Sequence, residues 1–413
     1  MMKEKKYRII SGGVTAPKGF KASGAATGLK PNNQLDIALI ESDVEAVPAI
    51  VTTQNAVKAA PVLWDNQIVK KDKQKIKAVL VNSGNANACT GEQGLLDVKT
   101  EAECVSQHFN CDPNQVFISS TGVIGVPLPI KEITDTVPTL VQNLSIDGQS
   151  DASRAILTTD LVPKTVAVEI EIGGKTVHIG AMAKGSGMIC PNMATMLSFV
   201  TTDADIDQAC LQKMLSVIAM DTYNMMSVDG DMSTNDTVLV LANGMAGNEK
   251  ITEANIDAYT KFFDALYFVN ASIVKSIVKD GEGATKYIEV HVNNADSRGD
   301  ARILAKAVVN SNLVKTAIFG EDANWGRVLS SIGATGVKFS PNTVSLTFSN
   351  SVGSILLLDH GKPTSFDEKQ ASDILKQKEI IINIDMGEGI YKATAWGCDL
   401  SYDYVKINAE YRT

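Results

Sequence analysis

Apolar and polar residues change rhythm repeatedly along this chain, and each rhythm predicts an element. On both sides of Gly173-Gly174, the stretch TVAVEIEIGGKTVHIGAMA alternates apolar and polar positions, which predicts a β-hairpin. Ala78 to Val81 reads as a short apolar strand running into a Gly/Asn/Ser loop, and Gln115 to Ser119 as a second strand ending in the glycine loop STGVIG. Between them, Leu95, Val98, Ala102, Val105 and Phe109 recur at steps of three and four, the stripe of an amphipathic helix. The apolar run Met196 to Val200 reads as a buried strand. Asp205 then stands where it could cap a helix carrying Cys210, Met214, Val217 and Ile218. A longer helix is predicted from about Asn255 to Val278, closed by KDGEGATK. The last hundred residues read as strand-rich, through VSLTFS, SILLLD, EIIINIDMG and YDYVKINAEY. There is no regular βαβ rhythm and no internal repeat. The expected class is therefore α+β, layered, with sheets at the centre and helices outside.

Composition narrows this picture only a little. At 413 residues the chain exceeds the size at which one core stops growing, so two domains or one large layered domain is expected. Apolar residues make up 44% and charged ones 21%, as in ordinary globular proteins, so a sizeable core is within reach. A net charge of −9 argues against a nucleic-acid partner, which would need a basic face. No apolar run approaches the ~20 residues that span a bilayer, and no apolar segment follows Met1 to Tyr7, so no membrane partner and a cytoplasmic location are expected. The six cysteines form no C-x-x-C pair, and the four histidines form neither H-x-x-x-H nor H-E-x-x-H, so no metal site is expected. A G-x-S-x-G elbow is missing too.

What remains is a set of glycine loops and one threonine. GSGMICP, DGEGATK and STGVIG sit at element ends, where loops carry sites, yet none fits a phosphate-binding motif. In AKGSGMICPNMATMLSFVTTDAD, Thr195 stands at the mouth of the apolar run. A threonine hydroxyl is a weak nucleophile until a base sits beside it. The free α-amino group of an N-terminal threonine, with a pKa of about 8, is such a base. Because Thr195 is internal, that chemistry requires the Ala194–Thr195 bond to be cut first. By residue type alone, most such threonines merely begin a strand.

KGSGMICPNMATMLSFVTTDA resembles the self-cleavage segment of the glutamate N-acetyltransferase (ornithine acetyltransferase) family of arginine biosynthesis. TTQNAVKAAPV, VNSGNANACTG, SSTGVIG, AILTTD, SVDGDMSTNDT, KDGEGATK, FGEDANWGR and GCDLSYDYVKINAEYRT resemble further family segments, in family order along nearly the whole chain. The resemblance implies a layered α/β/β/α sandwich, similar to N-terminal-nucleophile hydrolases but with its own connectivity. It implies self-cleavage into residues 1–194 and 195–413, which stay together as one catalytic unit, expected as a heterotetramer of two of each piece. Thr195 would take the acetyl group from N2-acetyl-L-ornithine and pass it to L-glutamate in a ping-pong scheme. Thr121 and Gly122 would form the oxyanion hole, and Thr158, Lys184, Thr195, Glu282, Asn408 and Thr413 would bind substrate. No cofactor is implied, and whether acetyl-CoA serves as a second acetyl donor is left open. An N-terminal-threonine amidohydrolase or aminopeptidase of related fold is the alternative, and a binding protein that never cleaves is a third reading.

Overall fold

The computed structural model describes residues 7–71, 74–190 and 196–410. Among these, nine strands form one mixed sheet. Its order runs Arg8–Ile10, Lys164–Ile172, Lys175–Lys184, Leu197–Thr202, Thr237–Ala242, Ile37–Thr52, Ile76–Asn85, Val116–Val123, with Phe20–Ala25 pairing off this path to Ile37–Thr52. Seven strands form a second sheet, in which Tyr287–Ala295 is central, parallel to Glu379–Asp385 and antiparallel to Tyr391–Cys398.

Strands 197–202 and 237–242 are buried at every position, as expected of strands covered on both faces. Their side chains part by the period of two. Val200, Val238 and Val240 join one apolar cluster, whereas Leu197, Phe199, Leu239 and Leu241 join another on the opposite face. The first of these clusters continues through the helix Ile256–Lys279 into the second sheet. That helix packs against the strands 164–172 and 175–184 of one sheet and against 391–398 of the other. Helices lying on the faces of two mixed sheets make this an α+β fold, the class expected.

The hairpin at Gly173-Gly174 is present, in unbroken antiparallel register from Lys164↔Ala183 to Ile172↔Lys175. The helix read from Leu95 to Phe109 spans Gly91–Phe109, and the one read from Asn255 spans Ile256–Lys279 with Asn255 as its cap. Two readings are corrected. The helix after strand 197–202 is capped by Asp207, which accepts from the Cys210 N–H, because Asp205 lies two residues short of the first turn; Val217 is only half-buried on it. YDYVKINAEY is a helix, Tyr402–Glu410, and not a strand. Ser401 starts it by accepting from the Tyr404 N–H at 3.3 Å, the geometry of an N-cap.

Candidate active site

A cavity of about 290 Å³ is lined by residues from widely separated parts of the chain. Thr121, Gly122, Thr158, Lys184, Glu282 and Asn408 all line it, drawn from five stretches far apart in sequence. Met196 and Leu197 line it as well. Ala194, Thr195 and Thr413 lie outside the described residues. The three glycine loops converge here through Gly122, Gly187 and Glu282. Asp322, Asn324 and Arg327 of FGEDANWGR do not line the cavity: Asn324 caps the helix Trp325–Gly333, and Arg327 donates to the Leu313 carbonyl.

Thr121 and Gly122 end the strand 116–123, in register with Ser83 and Gly84 of the neighbouring parallel strand. Gly122 has φ +135°, and a Cβ there would stand 2.3 Å from the Gly84 carbonyl carbon, so this close backbone approach needs glycine. Gly187 is similarly constrained, because a Cβ would fall 2.3 Å from the Glu282 carboxyl carbon. Glu282 is buried against this turn, held by its N–H to the Ser186 carbonyl at 3.0 Å. Asn408, on the helix 402–410, donates its side-chain N–H to Glu282 Oε2 at 2.8 Å.

Lys184 ends its strand almost completely buried, with Nζ 3.4 Å from the Thr121 hydroxyl and 4.0 Å from Asp160. Burial lowers its pKa against the opposing pull of Asp160. Asp160 is the hub of the region. It accepts from the N–H groups of Gly185 at 2.7 Å and Thr158 at 3.1 Å, and it pairs with Lys164 at 2.5 Å. Burial pushes the Asp160 carboxyl up, but Lys184 and Lys164 overcome this and hold it at about 2. Fully buried Lys164 also bridges to Asp280 at 2.6 Å, and the Asp280 carbonyl accepts from Ser186 Oγ at 2.6 Å. A single ammonium thus ties together the loops that present Thr158, Lys184 and Glu282.

Asp160, Lys164, Asp280 and Asp229, which lines the cavity, are not among the expected site residues. Three of them sit inside segments that had already stood out, AILTTD, SVDGDMSTNDT and KDGEGATK. A lone acidic or basic residue reads as a solvated surface group, and only its distant partners reveal otherwise. Among the described residues no group of three or more His, Cys, Asp and Glu is placed to hold a metal ion, and no helix is long and apolar enough to cross a membrane.

Comparison with known proteins places these features in company. The model of the ArgJ family matches residues 21–413. An arginine biosynthesis bifunctional protein ArgJ from Caldanaerobacter subterraneus subsp. tengcongensis is 50% identical over 405 residues, covering 98% of this chain and all of that protein. A protein of the same name from Symbiobacterium thermophilum is 50% identical over 406 residues, 98% of this chain and 99% of that one. A solved chain of the bifunctional protein from Bacillus halodurans is 44% identical, with a TM-score of 0.49, covering 52% of this chain and 98% of that chain.

Proposed function

The chain belongs to the ArgJ family, and as an acetyltransferase of arginine biosynthesis we propose that it works through Thr195, exposed as a new N-terminus by self-cleavage. The observation that carries this reading is the convergence of Thr121, Gly122, Thr158, Lys184, Glu282 and Asn408 on one cavity, walled also by Met196, the residue after Thr195. In the cleavage step the Thr195 hydroxyl adds to the Ala194 carbonyl carbon. The C–N bond opens, the hydroxyl proton passes to the freed amine, and water hydrolyses the ester. Residues 1–194 and 195–413 then remain together as one unit, assembled as two of each piece.

In turnover the new α-amino group takes the hydroxyl proton as Thr195 attacks the acetyl carbonyl of N2-acetyl-L-ornithine. Thr121 and the Gly122 N–H face the oxygen on which charge develops. The proton passes to the departing ornithine nitrogen. L-Glutamate then takes the acetyl group from the threonine ester, which restores Thr195. Lys184 pairs with the α-carboxylate. Glu282, with Asp229, Asp231 and Asp236 also lining the cavity, suits an ammonium. Thr158, Asn408 and Thr413 complete the contacts. A cavity near 300 Å³ suits an amino-acid-sized ligand. Acetyl-CoA as a second acetyl donor would make this chain bifunctional, a word that the relatives' names carry.

Intact mass spectrometry tests the whole reading. The expected result is two fragments, the second starting at Thr195 and gaining an acetyl group on exposure to N2-acetyl-L-ornithine. Thr195→Ala should yield one 413-residue chain without activity. A processed Thr195→Ala chain would place the nucleophile elsewhere, and sustained ornithine release without glutamate, beyond the one equivalent per site that acetylates Thr195, would make the enzyme a hydrolase.

A further inference from the structure

The loop from Val228 to Thr237 touches the chain on both sides of the proposed cleavage segment. On the upstream side the Val228 N–H donates to the Ile189 carbonyl at 2.6 Å, and Met232 forms an isolated bridge with Ile189. Asp229 accepts the two N–H groups that precede the segment, Met188 at 2.6 Å on Oδ2 and Ile189 at 2.8 Å on Oδ1. On the downstream side the Thr237 N–H donates to the Met196 carbonyl at 3.0 Å, and Thr237 opens the parallel register with Leu197.

Two features show that Asp229 imposes a conformation and does more than fill space. Met188 has φ +55°, the left-handed region that a non-glycine residue enters only against a steric cost. Both oxygens of one carboxylate accept from consecutive N–H groups at this turn, which satisfies backbone that the turn leaves without a ladder partner. Asp229 Oδ2 also accepts from the Tyr404 hydroxyl at 3.2 Å, so the helix 402–410, which carries Asn408, is tied to the same carboxylate.

We propose that the loop 228–237 is a clamp that fixes both flanks of the cleavage segment for self-cleavage, with Asp229 as its positioning residue. The inference rests on the self-cleavage reading above. A hydroxyl attacking the preceding carbonyl must be held in near-attack geometry, and a shift of about 1 Å at such a site costs on the order of a hundredfold in rate. Asp229 takes no part in bond making; it sets where the chain enters the segment. In Asp229→Asn the amide oxygen still serves one N–H, while the amide NH2 faces the other and cannot accept from it.

The test follows precursor conversion on a denaturing gel after cell-free synthesis. Wild type is expected to convert fully and Asp229→Asn at least tenfold more slowly. Met188→Gly, which enters the left-handed region freely, should restore part of the lost rate in the Asp229→Asn background, an effect that general destabilisation would not produce. If wild type never converts, the self-cleavage reading has failed. If wild type converts and Asp229→Asn keeps pace, the clamp is wrong. A slow Asp229→Asn chain that Met188→Gly does not accelerate also overturns it. Should Asp229→Asn prove insoluble, Tyr404→Phe removes one donor from the same carboxylate. It is expected to slow conversion two- to threefold, and a wild-type rate there counts against the proposal.

Discussion

Two buried polar networks meet at the start of the strand 197–202, and they use opposite chemistry. One is ionic: Lys184, in register with Leu197, joins Asp160, Lys164 and Asp280. The other is neutral: Ser198 Oγ lies 2.9 Å from the Tyr223 hydroxyl, which donates to Asn270 Oδ1 at 2.7 Å on the helix 256–279. A buried ion pair returns little net stability, because desolvation of both charges opposes their attraction. Neutral hydrogen bonds fix geometry at lower cost. The ionic network stands where a charged side chain must reach the cavity, and the neutral one where a strand need only be locked to a helix. The difference sets the first at the proposed site and the second in the packing behind it.

The largest effect is expected from breaking the ionic network. Lys164→Met leaves Asp160 and Asp280 buried without their shared cation, a loss of about 3–5 kcal/mol. The urea midpoint of the uncleaved Thr195→Ala chain, with and without Lys164→Met, measures it. In the background that keeps Thr195 the same change should also weaken catalysis, since Thr158, Lys184 and Glu282 depend on one ammonium. A midpoint unchanged by Lys164→Met would erase the distinction between the two networks.

Acid separates the networks next. The folded Asp160 pKa, about 2, lies below the ordinary carboxylate value near 3.9, so the unfolded chain binds more protons between them. The stabilisation is therefore complete above about pH 4 and is lost as pH falls through about 2, on the order of 2 kcal/mol. The neutral network contributes nothing in this window. Stability curves from pH 5 to pH 2 should be steeper for Thr195→Ala than for Thr195→Ala/Asp160→Asn, and parallel curves would show that Asp160 is not held ionised by its lysines.

Local patterns made much of the fold legible. Period-two alternation gave the hairpin at Gly173-Gly174, and a helical stripe gave the helix ending at Phe109. The helix 402–410 escaped because Tyr402 and Tyr404 alternate with polar residues as in a strand, while the decisive signal was the single cap Ser401. For the site, the resemblance supplied residues that now line one cavity, whereas their support could not be read locally. Lys164 and Asp280 are 116 positions apart, and Glu282 and Asn408 are 126 apart. Pairings at that range come from tertiary structure, and no spacing rule anticipates them.

The smallest effect, and the sharpest on the neutral side, is expected from Tyr223→Phe. Tyr223 is completely buried, and burial raises its pKa, so its hydroxyl stays a neutral donor throughout the physiological range. Removing that hydroxyl leaves Asn270 Oδ1 without its donor, at a cost of about 1–3 kcal/mol; the ring keeps its apolar contacts, which favours the lower end. The loss should be the same at pH 4 and pH 8, because nothing in this network titrates between them. Conversion of the precursor should stay within about twofold of wild type, since the network holds the strand after Leu197 and makes no contact with the loop 228–237 through these bonds. A much slower conversion would mean that the neutral network also shapes the cleavage segment, and the division between packing and function would have to be redrawn at Ser198.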